Sequence, residues 1–312
     1  MNAVHRFGIG LAALGRPAYI NVGRADELPP GRSVEQMRTA TWDVLDAAYS
    51  VGIRWVDAAR SYGRAEEFLG GWLTARTLED MTVSSKWGYT YVGEWKTDAP
   101  VHEVKEHSLD RYRAQCEETR ALLGGYLSAY QVHSLTEESP LFQDVHLQAA
   151  LAEAAADGLR VGFSTSGPGQ ADTIRSAVAL EVSGQRLFST VQSTWNVLET
   201  SAGEALREAH DAGLHVLLKE VLANGRLATQ PPAGLRTVAA RNLVQPDALA
   251  LAAALSRPWA DTVLIGAVSP AQLDANLAAA EVSLDENDLE VLARLSVPPE
   301  IYWAERSALP WT

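Results

Sequence analysis

LRVGFSTSGPGQADTIRSAVALEVSGQRLFSTVQSTWNVLETSAGEALREAHDAGLHVLLKE, residues 159–220, decides the fold. A short β-prone run over 159–164 is followed by helical spacing over 170–182. The unit then repeats, with a strand over 189–192 and a helix over 203–212, and a third strand follows over 214–218. Asp157-Gly158 just upstream and Asp211-Ala212-Gly213 within the stretch supply left-handed helix stops before the next strand. Short, largely apolar strands alternating with helices imply a parallel sheet with its helices outside.

The same alternation runs outward in both directions. Towards the N-terminus it predicts a strand near 6–11, a helix over 34–50, a strand over 53–57 and a helix over 66–76. A strand over 81–85, a helix over 103–123, a strand over 127–132 and a helix over 148–157 follow. Towards the C-terminus it predicts a helix over 247–255, a strand over 262–265, a helix over 270–280 and a last helix over 286–295. An extended tail with Tyr302, Trp303 and Trp311 ends the chain. Eight β/α units in 312 residues read as a (β/α)8 TIM barrel, one α/β domain spanning 1–312, with the tail folded over the mouth. The Gly- and Pro-containing stretch 19–32 reads as a loop over the same face.

Composition limits the function. The chain is 47% hydrophobic and 21% charged, ordinary for a protein with a full core. Its net charge of −13 repels phosphate backbones, so nucleic acid is not an expected partner. No apolar run is long enough to cross a bilayer, so neither is a membrane. The single cysteine, Cys116, sits in a helical pattern and excludes an intrachain disulfide. The glycine-rich start is read as a first strand and loop rather than a signal peptide. A reducing, cytoplasmic setting is expected. No spacing suggests a metal site. Gly8-Ile9-Gly10 with Gly15 does not have the spacing of a dinucleotide fingerprint.

Catalytic residues of barrels lie at the C-terminal ends of strands, and Asp57, Lys86, His133, Ser164, Gln192 and Lys219 all fall there. Tyr62 follows Asp57 by five residues. A phenol, an ammonium, a carboxylate and an imidazole compose a proton-donor site. The phenol of Tyr62 gives the proton. Lys86, held by Asp57, is expected to lower the phenol pKa from about 10. His133 orients a carbonyl oxygen. A barrel glycosidase would need two strand-end carboxylates; Glu220 follows the seventh strand, but the fourth ends in His133.

In these strings the chain resembles the aldo-keto reductase superfamily. Asp57 to Gly63 is similar to its Asp-x-x-x-x-Tyr-Gly, SSKWG to its strand-end lysine, and YQVHS to its strand-end histidine. Gly162-Phe163-Ser164-Thr165 is similar to its GVSN string and Gln192 to Asn196 to its QxxYN string. Gly266, Gln272 and Asn276 fall in a family-like Gly-x-x-x-x-x-Gln-x-x-x-Asn.

The resemblance implies reduction of an aldehyde or ketone by a nicotinamide cofactor, or the reverse oxidation of an alcohol. NADP(H) is the family default and NAD(H) the alternative. It implies that Ser164, Thr165 and Gln192 hold the carboxamide and that Trp195 stacks on the nicotinamide ring. Gly225 and Arg226 would meet phosphates, with Gly266, Ser269, Gln272 and Asn276 near the adenosine. Thr165 replaces the usual Asn and loses an amide. No cation occupies the 266–276 stretch, so NADP over NAD is a family expectation and nothing more. Tyr19, Trp87, Tyr89 and Trp303 are expected to wall a pocket for a small carbonyl or alcohol substrate. The alternative function is a cofactor-binding regulatory barrel with little turnover. The oligomeric state is left open.

Overall fold

The computed structural model describes residues 3–23 and 27–312. Residues 24–26 of the anticipated mouth loop lie outside the described residues. Eight parallel strands close into a barrel: β1 (Phe7–Gly10), β2 (Trp55–Asp57), β3 (Thr82–Trp87), β4 (Leu127–Leu135), β5 (Arg160–Thr165), β6 (Thr190–Thr194), β7 (His215–Lys219) and β8 (Thr262–Ile265). Each pairs with its neighbours in sequence, and β1 closes the ring against β8 through Phe7↔Val263 and Ile9↔Ile265.

Among the described residues, twelve α-helices follow in chain order. They are α1 (Val34–Ser50), α2 (Ala65–Arg76), α3 (Leu109–Leu123), α4 (Val145–Ala156), α5 (Gln170–Val178), α6 (Gly203–Asp211), α7 (Arg226–Thr229), α8 (Ala233–Arg241), α9 (Pro246–Leu255), α10 (Pro270–Leu277), α11 (Glu286–Ala293) and α12 (Pro299–Ser307). None is long and apolar enough to cross a membrane. Local chemistry sets their starts. Ser33 and Gln36 form a reciprocal capping box on α1, and Ser108, Asp144, Ser269 and Asp285 accept first-turn N–H groups of α3, α4, α10 and α11. The run PDALALAAAL makes α9 apolar all round, and every residue from Ala248 to Leu255 is buried. Such a helix needs cover on both sides. A second apolar cluster, which includes Leu235, Tyr302 and Trp303, supplies it.

The barrel is the one anticipated, and four local readings are corrected. Residues 103–105 form not a helix but a strand, Glu103–Lys105, pairing antiparallel with Tyr89–Tyr91. Helix α5 ends at Val178, and Glu181–Val182 pairs with Gln185–Arg186 around Gly184, whose φ is 75°. The long β7–β8 connection holds α7 and α8, which the polar, Gly- and Pro-punctuated text did not announce. Tyr302 and Trp303 lie on α12 and not in an extended tail; Pro299 suits the first turn of that helix.

Candidate active site

Strand β2 ends in Asp57, β3 carries Lys86 one residue before its end, and both side chains are buried. Lys86 Nζ donates to Asp57 Oδ2, to the Ala58 carbonyl at 2.9 Å and to the Tyr62 hydroxyl at 3.4 Å. Asp57 is the hub. Its Oδ1 accepts from Ser84 Oγ at 2.7 Å, Gln192 Nε2 at 3.0 Å and Gln131 Nε2 at 3.4 Å. Ser84 in turn accepts from Trp55 Nε1 at 2.9 Å. A charge taken out of water requires such partners, and three strands, β3, β4 and β6, provide them.

His133 stands edge-on to Tyr62, ring centroids 5.5 Å apart, with Tyr89 at 5.0 Å on another side. The pairing of β4 with β5 shifts register between Val132 and Leu135, and Ser134 has φ 53°. Such a bulge re-aims a side chain, and a strained non-glycine residue there is held by its surroundings. Ser134 N–H donates to Ser164 Oγ at 2.9 Å, and His107 Nε2 lies 2.9 Å from the His133 carbonyl. Burial, reinforced by Lys86 and Lys219, keeps His133 well below the usual imidazole pKa, so the ring is neutral. The expected lowering of the Tyr62 pKa is reversed in direction. Burial first, then the Asp57 charge, hold the phenol well above 10, with Arg16 opposing.

A cleft of about 280 Å³ opens from this group. At one end it meets Asp57, Tyr62 and Gln192; at the other, Asp247, Gly266, Gln272 and Asn276. Segment 19–23 lies across it. Val22 N–H donates to the Asn224 carbonyl at 2.8 Å, and Asn224 Nδ2 to the Ile20 carbonyl at 3.0 Å. Gly225 makes this approach feasible: its φ is 87°, and a Cβ there would sit 2.1 Å from the Val22 carbonyl oxygen. Thr312 and Tyr19 exchange backbone hydrogen bonds at 3.1 and 3.2 Å, which brings the end of the chain to the mouth.

The profile of the Aldo/keto reductase family matches residues 31–296. The chain belongs to the aldo/keto reductase family. Among solved structures, an aldo-keto reductase of Bacillus halodurans in its holo form aligns with a TM-score of 0.69 at 19% identity, covering 94% of this chain and 92% of that one. The glycerol dehydrogenase of Gluconobacter oxydans aligns with a TM-score of 0.68 at 20% identity, covering 93% and 90%. At such identities the likeness is one of fold. No curated protein matches the sequence.

Within this aldo/keto reductase barrel the expected residues divide. Asp57, Tyr62, Lys86 and His133 converge, and Tyr19, Gln192, Gly225, Gly266, Gln272 and Asn276 line the cleft. Gln192 faces the cleft while its amide nitrogen serves Asp57. Ser164 is spent on Ser134, and Thr165 exchanges a 2.7 Å hydrogen bond with Ser193, so neither side chain lines the cleft. Ser269 caps α10 and donates to Glu27 at 3.0 Å.

Four placements are corrections. Trp195, one residue past the end of β6, packs edge-on against Trp259 at 5.9 Å with Arg257 over its ring, and does not line the cleft. Arg226 turns away from the cleft to Glu305 at 2.9 Å and lies over the Tyr302 ring. Trp87 is fully buried among His107 and Tyr112 as core. Trp303 belongs to the cluster around α12, its ring 6.0 Å from Lys219 Nζ.

Other site residues escaped the sequence reading. Arg16, 1% exposed, pairs with Glu103 at 2.6 Å and lies over the rings of Tyr19, Tyr62 and Trp311. Arg306 reaches from α12 to Glu220 at 2.6 Å. Burial alone would raise Glu220, but Arg306 and Lys219 hold it down to about 2. The only sequence signal for Arg16 was its place in the loop after β1.

Proposed function

We propose that the protein is a nicotinamide-dependent carbonyl reductase in which Tyr62 gives a proton to the substrate oxygen. The observation behind this reading is the Tyr62–Lys86–Asp57 chain with His133 at its edge, at the end of a cleft long enough to lead away to α10. A phenol kept protonated is an acid at any ordinary pH, and Lys86 aims an N–H at the oxygen that loses the proton. That donor is worth most as the tyrosinate forms, in a place where water is scarce. Asp57 keeps Lys86 in place, and the neutral His133 offers a hydrogen bond to the substrate without adding charge.

The cleft suits the dinucleotide. Asn224 is nearly buried and its Oδ1 has no hydrogen-bond partner in the cleft wall. Leu264, Ile265 and Ala13 offer apolar faces, and Gly266 leaves open space. A bound reduced nicotinamide supplies the hydride. The far end favours NADH over the family default of NADPH. Asp247 lines it, Glu27 stands on Ser269, and no Arg or Lys lines that end among the described residues. A carboxylate there suits a ribose hydroxyl and repels a 2′-phosphate.

The test is a titration with NADH and NADPH followed by quenching of tryptophan fluorescence, then single-turnover reduction of an aldehyde by wild type and Tyr62→Phe. Micromolar binding with turnover that falls about 10²–10⁴-fold in Tyr62→Phe, at unchanged affinity, supports the reading. Binding with no turnover on a carbonyl panel supports the regulatory alternative, and no binding of either cofactor rejects both.

A further inference from the structure

We propose that Lys219 holds a carboxylate of the substrate, so that the site selects oxo-acids over neutral carbonyl compounds. This rests on the carbonyl-reductase reading above and names its substrate class.

Among the described residues around the mouth, three cations have a carboxylate at hydrogen-bonding distance and a fourth has only a distant share of one. Lys86 takes Asp57, Arg16 takes Glu103 at 2.6 Å, and Arg306 takes Glu220 at 2.6 Å. Lys219 is the fourth, sharing Glu220 with Arg306. Its nearest carboxylate, Glu220, lies 3.9 Å away and is already held by Arg306. Its hydrogen bond goes to the neutral Thr194 Oγ1 at 2.9 Å. An ammonium has three N–H donors, so capacity remains.

Lys219 ends β7 and lines the same cleft as Tyr62, Asp57 and Gln192, with only 16% of its side chain exposed. A cation so enclosed that shares its one counter-ion with Arg306 is costly, and an arriving anion offsets that cost. The Trp303 ring, at 6.0 Å from Nζ, is at the limit of a cation–π contact and does not substitute for an anion. One surplus charge matches a monoanion, whereas a dianionic phosphate would also meet Glu220. The net charge of −13 makes a surplus cation here a local exception.

Burial brings the ammonium down to about 8, with Glu220 opposing and Arg306 and Lys86 reinforcing. Facing Lys219 are Glu220 beside it, Thr194 from β6, Arg306 from α12, Lys86 from β3 and Asp57 from β2. Of the site groups whose pKa is displaced, Tyr62 lies far above this range and His133 and Glu220 below it. Selection for an acid should therefore fade as pH rises through about 8.

The experiment compares kcat/KM for short straight-chain ω-oxo acids of increasing length with the matching neutral aldehydes. It uses wild type, Lys219→Met and Lys219→Arg, and reads the acid-to-neutral ratio. A second arm measures calorimetric binding of hexanoate against hexanamide. The expected wild-type ratio at pH 7 is about 10- to 100-fold for the best length, carried by KM. It should fall to about 1 in Lys219→Met and survive in Lys219→Arg. Equal reduction of both classes, or a ratio indifferent to Lys219, overturns the proposal and leaves the reductase reading standing. If neither class is reduced but hexanoate binds in a Lys219-dependent way, the anion site stands and the reductase reading falls. If Lys219→Met weakens NADH binding and leaves the ratio unchanged, the substrate assignment is overturned.

Discussion

Lys86 and Asp57 form an ion pair in which neither side chain is more than 3% exposed. Removing one partner strands a buried charge, which costs about 3–5 kcal/mol. Lys86→Met is therefore expected to lose stability by about that amount as well as turnover, while Tyr62→Phe loses turnover alone. Chemical denaturation of both variants beside their kinetics checks this. A Lys86→Met protein as stable as wild type would show that Asp57 is satisfied by Ser84, Gln131 and Gln192 without the cation.

The strap across the cleft depends on Gly225. An alanine there would adopt a left-handed conformation and drive its Cβ into the Val22 carbonyl. Gly225→Ala should cost about 1–3 kcal/mol in stability and weaken cofactor binding, with Tyr62 chemistry intact at saturation. Thermal melts with and without NADH read both effects. Unchanged affinity would show that segment 19–23 does not help to hold the cofactor.

Cofactor choice should follow Asp247. Wild type is expected to bind NADH at least about 10-fold more tightly than NADPH, and Asp247→Asn to narrow that gap. Asp247 also accepts from Asn276 Nδ2 at 2.9 Å, which asparagine can preserve with its own amide oxygen. Tighter NADPH than NADH binding in wild type would sink the assignment.

Stability should decline on mild acidification. His107 is buried between Ser139 Oγ at 2.8 Å and the His133 carbonyl, and burial lowers its pKa to about 4; His133 is lowered well below 6.5 as well. Both are neutral in the fold and take a proton more readily when unfolded. The unfolded chain therefore binds more protons below pH 6.5, and the stability present above that value is lost as pH falls towards 4. For His107 the loss amounts to about 3 kcal/mol. Melting temperatures from pH 7.5 to 4.5 should drop in wild type and drop less in His107→Gln. A flat profile would mean that the imidazoles keep their ordinary pKa values.

Trp195→Ala is expected to act on the fold and not on the cofactor. Its ring is 4% exposed between Trp259 and Arg257, and truncation of such a ring costs about 3–5 kcal/mol. Equilibrium unfolding beside an NADH titration separates the two. Loss of affinity at unchanged stability would return Trp195 to the cofactor.

The eight strands were legible because each is a short apolar run bounded by a turn signal, and because Asp57, Lys86, His133 and Gln192 recur at their ends. The two-residue pairing of Glu181–Val182 and the Glu103–Lys105 strand were not, since such short segments have no period and take their form from a partner. Arg226 was misplaced because α7, which it begins, was not anticipated, and Trp195 for a related reason. A residue just past a strand end can point into the mouth or out to the helices, and one residue of spacing decides which.

By itself, then, the order of apolar runs and stops determined the parallel barrel, and strand-end position brought Asp57, Lys86, His133 and Gln192 together at its mouth. The direction of the Tyr62 pKa shift, the pairing of Arg16 with Glu103, and the sharing of Glu220 between Arg306 and Lys219 were decided only by tertiary structure. These depend on distances between residues tens to hundreds of positions apart. Burial and charge act through space, and no local pattern in the chain records them.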